Sequence, residues 1–395
     1  MMQSVKLNQV CKILNGYAFK SEEYQSEGVP LLRISNFDGG DVVVDDKSIY
    51  VDQSFLKTKT DFIVEKGDIL IALSGATTGK YGIYNYDFPS LLNQRIGLIK
   101  SSASSKLSGK YFYHFLNILK DEILRKAGGA AQPNISTKTI GELEIPFPPL
   151  AQQQKIANIL DAADALRQNE KAIIAKFDEL TQALFLDMFG DPVSNPKGFE
   201  LSTVGIQCNV KGGKRVPKEE KLVTENTGFP YIKAGNIKSG KVTLKDLEYL
   251  LPQTREKLKR YIVEKGDVCI TVVGVNIGDI GIVPNELHLA NLTENANKIL
   301  IKDKLILNNY YLAKYLQMDF VQKNISAKTM AVGVPKLALF RIEQIELLIP
   351  PIALQRQYEE RVALIEEQKS IAQKSLEKSE ELFNSLLQKA FKGEL

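Results

Sequence analysis

Residues 62–75 read FIVEKGDILIALSG, and residues 261–274 read YIVEKGDVCITVVG. In each, an aliphatic, strand-forming run follows a Gly-Asp pair and ends on a further glycine. That is the pattern of a buried strand closed by a turn. The match of two stretches about 200 positions apart says that the chain is written twice. On either side, VPLLRISNF at 29–37 returns as FPYIKAGNI at 229–237, and TTGKYGIY at 77–84 as NIGDIGIV at 276–283. ELEIPFPPLAQQQ at 142–154 is echoed by QIELLIPPIALQRQ at 344–357. Order and spacing are kept throughout, so the duplication covers the whole chain.

Each copy has two parts. The first mixes short β-type runs with an amphipathic helix, predicted over 111–126 and stopped by Gly128 and Gly129. A proline-bounded strand, ELEIPFPP in the first copy, closes it. The fold class expected is α/β (α+β), with two globular domains at 1–150 and 191–351. The second part is a long helix, expected at 151–190 and again at 352–395. After Pro148 and Pro149 no Gly or Pro occurs before Gly190. Apolar residues recur as Ile156, Ile159, Ala163, Leu166, Ile173, Phe177, Leu180 and Leu184, a heptad broken at Glu170. In the second copy Val362, Ile365, Ala372, Leu376, Phe383, Leu386 and Ala390 keep a similar rhythm, weakened by Lys369 and Ser379. A helix of about 37 residues spans roughly 55 Å. A packed surface helix or an independent dimerisation coil is the plainer explanation of either helix alone. Two matching heptad helices in one chain can instead pair with each other. An antiparallel intramolecular coiled coil would place the domains at opposite ends, under an approximate two-fold axis.

Composition narrows the class without deciding it. A chain of 395 residues suits two domains better than one core. Its 44% hydrophobic and 25% charged residues are ordinary for a folded protein. No run reaches the roughly 18 apolar residues of a membrane span. The start, MMQSVKLNQV, lacks the basic and apolar regions of a signal peptide, so a cytoplasmic protein is expected. Cys11, Cys208 and Cys269 form no CxxC pair, which fits reduced structural thiols. With only His114 and His288 present, a Cys/His zinc site is hard to build, and no metal is expected. A net charge of +4 permits nucleic-acid binding without arguing for it.

The sequence carries no recognisable catalytic signature. The stretch from Gly75 to Tyr81 resembles a phosphate loop, but three residues separate its glycines and Tyr81 follows the lysine. Its copy carries Asp279 where the lysine should stand. A turn between two strands is the expectation. There is no GxSxG elbow and no paired-His helix. The proline pairs read FPPL and IPPI, not the DPPY or NPPF of an amino-methyltransferase. Acid–lysine combinations such as Asp68 near Lys80 carry no weight among 47 acidic residues. No catalytic residue is expected.

The order of domain, proline-bounded exit, long helix, second domain and second long helix resembles the specificity subunits of type I restriction–modification systems. PPLAQQQKIANILDAADAL from Pro148, ALFLDMFGDP at 183–192, IPPIALQRQ from Ile349 and the ending LLQKAFKGEL look like that family's central and carboxy-terminal helices. EKGDILIALSG and its copy are similar to its target-recognition domains. The resemblance implies a non-catalytic reader of double-stranded DNA, each domain taking one half of a split, asymmetric site while the helices fix the gap. It further implies two methyltransferase subunits using AdoMet, and restriction subunits using ATP and magnesium. This chain would bind no cofactor itself.

Base reading needs Arg, Lys, Asn or Gln at groove edges, and phosphates need cations and hydroxyls. In the first domain the candidates are Tyr17, Lys20, Arg33, Ser35 and Asn36, then Ser74, Thr77 and Lys80 on the glycine turn. Asn93, Gln94 and Arg95 are expected on the next strand. In the second domain they are Lys211, Lys214, Arg215 and Lys218, then Lys233, Asn236, Asn276, Asn295 and Asn297. Taken singly, each competes with being an ordinary solvated side chain, so the loops count as groups. Gly16, Gly75, Gly213 and Gly274 are expected to serve backbone geometry. Two other functions stay open: a protein–protein adaptor with no DNA affinity, and a free-standing nuclease or methyltransferase.

Overall fold

In the computed structural model of the chain, the aspartate of each repeated EKGD segment closes its own turn. Asp68 Oδ2 accepts the Glu65 N–H at 2.8 Å, and Asp267 Oδ2 accepts the Glu264 N–H at 2.9 Å. The strands that follow, Ile69–Ala72 and Val268–Thr271, are buried at every position. A continuous aliphatic run is what a strand covered on both faces requires. The structure describes residues 3–38, 40–101, 106–128, 133–327, 329 and 335–395. Gly129, expected to help stop a helix, lies outside them.

The chain divides into two units, Met1–Lys171 with Lys374–Leu395, and Ala172–Gln373. In the first, a six-stranded sheet runs Cys11–Asn15, Ile96–Ser101, Ile69–Ala72, Tyr81–Ile83, Asp41–Val42, Phe37–Asp38. The second repeats that order with Cys208–Gly212, Ala296–Ile301, Val268–Thr271, Ile280–Ile282, Gly240–Val242, Ile237–Lys238. Beside each lies a smaller sheet built on one parallel pair, Leu31 opposite Leu91 and Tyr231 opposite Asn291. The proline-bounded exit strands pair back onto the entry strands: Glu144–Pro146 with Ser4–Lys6, and Glu346–Ile349 with Glu200–Thr203. Each globular part is thereby closed at its neck.

The long helices run Leu150–Phe189 and Ile352–Lys392. Each begins on a buried glutamine that satisfies the loop beneath it. Gln153 accepts the Ser108 N–H at 2.8 Å and donates to the carbonyls of Lys106 and Pro148. Gln355 does the same for Asn308, Ile306 and Pro350.

Within each unit the two long helices pack together and run antiparallel. In the first unit Ile156, Leu160 and Ala163 share a core with Phe383, Leu387 and Ala390. Ser375 donates to Glu170 at 2.8 Å, and the Arg167 guanidinium lies 4.3 Å from the Phe383 ring centre. Phe391 packs on Tyr111 and Phe115 of the Gly109–Lys126 helix at 5.0 and 4.9 Å. In the second unit Phe185 and Phe189 lie against Tyr358 at 5.6 and 5.3 Å, and Phe189 against Tyr311 at 4.8 Å. Lys369 pairs with Asp178.

The heptad expectation needs correcting in part. Ile156, Ala163, Val362 and Phe383 are buried, and Ile159, Phe177, Leu184, Ile365, Leu376 and Leu386 half-buried. Leu166, Ile173 and Leu180 are instead 45%, 43% and 49% exposed. A seven-residue repeat drifts about 20° per heptad around a 3.6-residue helix, so one stripe cannot face one neighbour along the whole length.

Candidate nucleic-acid interface

The first domain's candidate loops meet because one residue has no side chain. A Cβ on Gly16 would stand 2.1 Å from the Asn93 carbonyl oxygen, and one on Gly213 would stand 2.0 Å from that of Thr293. With glycine there, the Tyr17 N–H reaches the Leu92 carbonyl at 2.9 Å and the Gln94 N–H reaches the Tyr17 carbonyl at 2.9 Å. The second copy has the matching bond, Lys214 N–H to the Leu292 carbonyl at 2.9 Å. Asn93, Gln94 and Arg95 are not on a strand as expected. They form the turn between Ser90–Leu92 and Ile96–Ser101, forced by this close approach.

The glycine turns lie between two strands, as their spacing suggests. Gly75 and Gly274 have φ of +85° and +103°, a region that L side chains avoid. Thr78 Oγ1 ties the first turn to the carbonyls of Gly75 and Pro133 at 2.7 and 2.9 Å. The loop around Gly16, Ser74 of the glycine turn and the Gln94–Arg95 turn then enclose one groove of about 490 Å³. Asn134 and Ser136 form its fourth side. Sequence reasoning missed that side, although a signal existed: PNIS at 133–136 is repeated as PKLA at 335–338. Asn134 bridges to Ser74, and Lys336 to Val273, in the same places.

Other candidates fall elsewhere. Lys20, Arg33 and Ser35 are exposed, with the Arg33 guanidinium 5.8 Å over the Tyr24 ring. Tyr17 is half-buried between Phe19 and Phe62, with the Lys59 ammonium 3.8 Å over its ring. Thr77 is half-buried on its turn, and Lys80 lines a separate cavity. In the second unit Lys211, Lys214, Arg215, Lys218 and Asn276 are exposed, and Asn295 is half-buried. Arg215 pairs with Glu294, and Lys233 with Glu248 at 2.6 Å. Such exposed pairs are weak and yield readily to a phosphate.

Three asparagines are placed for another job. Asn36 is 7% exposed, accepts the Arg33 N–H at 2.8 Å, and donates to Val43 and Ser48. Asn236 makes the corresponding bonds to Lys233 and Lys245. Asn297 is 6% exposed within Ala296–Ile301. With donors spent or buried, these residues hold loops and sheet rather than face a groove.

Burial lifts the Asp68 carboxyl above its ordinary value, and its partners are the Glu65 N–H and Lys100 at 3.2 Å, not Lys80. The three thiols are buried and free, and burial pushes Cys11 and Cys208 up to about 12. Among the described residues no group of three or more His, Cys, Asp or Glu could hold a metal ion. Among them also, no helix is long and apolar enough to cross a membrane.

Two domains built on one duplicated sheet order, each followed by a long helix, match known proteins. A family profile described as the type I restriction modification DNA specificity domain matches residues 1–178 and again 196–378. The EcoBI specificity subunit of Escherichia coli is 26% identical over 99% of this chain and 85% of that relative. The EcoKI specificity subunit of Escherichia coli K12 is 22% identical over 98% of this chain and 88% of its own length. The crystal structure of the type I S subunit from M. genitalium superposes with a TM-score of 0.56 at 20% identity, covering 99% and 96% of the two chains. The chain belongs to the type I restriction–modification specificity (S) subunits. It is therefore the non-catalytic subunit that confers DNA target recognition.

Proposed function

We propose that each unit reads one half of a bipartite, asymmetric double-stranded DNA target and that the paired helices set the number of base pairs between the halves. The observation that carries this is the repeated close approach of loops. Gly16 and Gly213 bring equivalent loops together, while the side chains there differ: Ser74, Gln94, Arg95 and Asn134 in one copy, Val273, Glu294, Asn295 and Lys336 in the other. Identical scaffolds bearing different donors select different base edges. Two methyltransferase subunits bring AdoMet and dock on the helices, where Leu166 of the first unit and Ile173 and Leu180 of the second are exposed apolar residues. Restriction subunits bring ATP and magnesium. The complex works in the cytoplasm.

Co-expression with the cognate methyltransferase subunit is expected to yield modified adenines in one shared two-part motif, mapped by genome-wide sequencing of modified bases. Modification without a common motif would sink the proposal. Replacing Lys214 and Arg215 together by alanine should weaken binding and lower the slope of log K against log salt by about 1.8, if both meet phosphates. An unchanged slope in a salt titration would place them off the backbone.

A further inference from the structure

The DNA-reading proposal leaves one cavity unused. It has a volume of about 690 Å³ and lies inside the first unit, where the Gly109–Lys126 helix meets the long-helix residues Arg167 and Phe383. Tyr81, Tyr113, Lys80 and Lys120 complete its working walls. Two of its lining residues carry a buried polar atom with no hydrogen-bond partner among the described residues: His114 at Nδ1 and Arg167 at Nε. His114 is 1% exposed, and its Nε2 is held by Asp161 Oδ1 at 2.7 Å. The Arg167 Nη2 donates to Asp164, which leaves the Nε–H unspent. A buried donor without an acceptor is costly and rare, so a polar group from outside is the economical occupant.

The second copy is an internal comparison. The glutamine clamps at Gln153 and Gln355 align Arg167 with Lys369 and Asp164 with Glu366; the caps Ser108 and Asn308 align His114 with Lys314. Asp41 aligns with Lys241 on the matching sheet edge. There the charges satisfy one another. Glu366 takes Lys241 at 2.7 Å and Lys314 at 3.7 Å, and Lys369 takes Asp178. Among the described residues, the matching positions of the second copy, Lys314 and Lys369, carry no such unpartnered atom.

We propose that this cavity binds a small ligand bearing one phosphate group, either inorganic phosphate or a nucleoside monophosphate. A phosphate oxygen accepts from the Arg167 guanidinium, and Lys80 and Lys120 lie on the rim. A partly protonated phosphate offers His114 Nδ1 an acceptor or a donor, whichever state the ring holds. Burial raises the Tyr81 hydroxyl, which stays protonated as a donor, while the Tyr113 hydroxyl already donates to the Gly40 carbonyl at 3.4 Å. Two carboxylates share the lining: Asp164, held by Arg167, and Asp41, which accepts from Asn85 at 3.0 Å. Three cations against two carboxylates leave little surplus charge, which suits one phosphate and disfavours a triphosphate. The volume and the Tyr81–Tyr113 ring pair, 5.5 Å apart and edge to face, leave room for a nucleoside.

The chain's two histidines make the test direct. In the full-length protein labelled with ¹⁵N-histidine, ring resonances are followed during titration with inorganic phosphate, adenosine monophosphate or sodium chloride. A saturable shift of His114 with a Kd of about 1 mM or tighter, with His288 unmoved and chloride inert, is the expected result. The phosphate arm against the monophosphate arm identifies the source. Arg167→Gln should weaken binding about tenfold or more, and Lys120→Ala, on an exposed rim position, about threefold. No saturable shift from either phosphate, equal movement of His288, or unchanged affinity in both variants would overturn the site. None of these outcomes bears on DNA reading, which the proposal does not require.

Discussion

Gly16→Ala is expected to destabilise the first unit by about 3 kcal/mol or more and to abolish site-specific modification. The added methyl would lie 2.1 Å from the Asn93 carbonyl oxygen and 2.6 Å from that of Leu92, both backbone atoms with no side-chain freedom to yield. Relief requires the Gly16 loop and the Asn93–Arg95 turn to separate. That breaks the Gly16–Ile96, Tyr17–Leu92 and Gln94–Tyr17 backbone bonds together. Gly213→Ala should do the same in the second unit, where the clash is 2.0 Å. Gly109 is the control: nothing stands within 4 Å of a Cβ there, so Gly109→Ala should change stability by under about 0.5 kcal/mol. Denaturant unfolding of the three variants, with motif mapping in the methyltransferase complex, separates these outcomes. A Gly16→Ala protein with parental stability and an unaltered motif would show that the close approach is not what builds the reader.

Inserting seven residues into each long helix, after Lys171 and after Gln373, is expected to remove the original target. Each helix lengthens by about 10.5 Å, roughly the rise of three base pairs. Seven residues turn the helix by nearly two full revolutions, so the protein heads hardly rotate, whereas three base pairs turn the DNA by about 100°. Both length and phase are therefore wrong for the old site. Modification should vanish or move to the same two half-sites with a gap about three base pairs longer. Base-resolved mapping reads the gap directly. An unchanged gap would mean that something other than the helices sets it.

Much of this was legible in the residues. The EKGD repeats announced two copies of one buried strand, and the six-stranded order is the same in both units because both copies encode it. Proline pairs followed by glycine-free runs announced the long helices, since nothing in them stops a helix once begun. The candidate loops were legible only as polar stretches near repeated glycines. That could not separate Arg95, exposed in the groove, from Asn36, whose amide is consumed by its own loop.

By itself the sequence determined the duplication, the two long helices and the family, because these rest on local periodicity and on ordered matches along the chain. Tertiary structure alone decided which residues complete each core. Phe383 and Phe391 sit far from the first domain in sequence yet pack on His114 and Tyr111, and Phe185 and Phe189 complete the second around Tyr311 and Tyr358. The physical reason is that an amphipathic helix specifies an apolar stripe but not its partner. The partner is fixed only when antiparallel packing brings distant turns side by side and aromatic rings select the depth at which they lock.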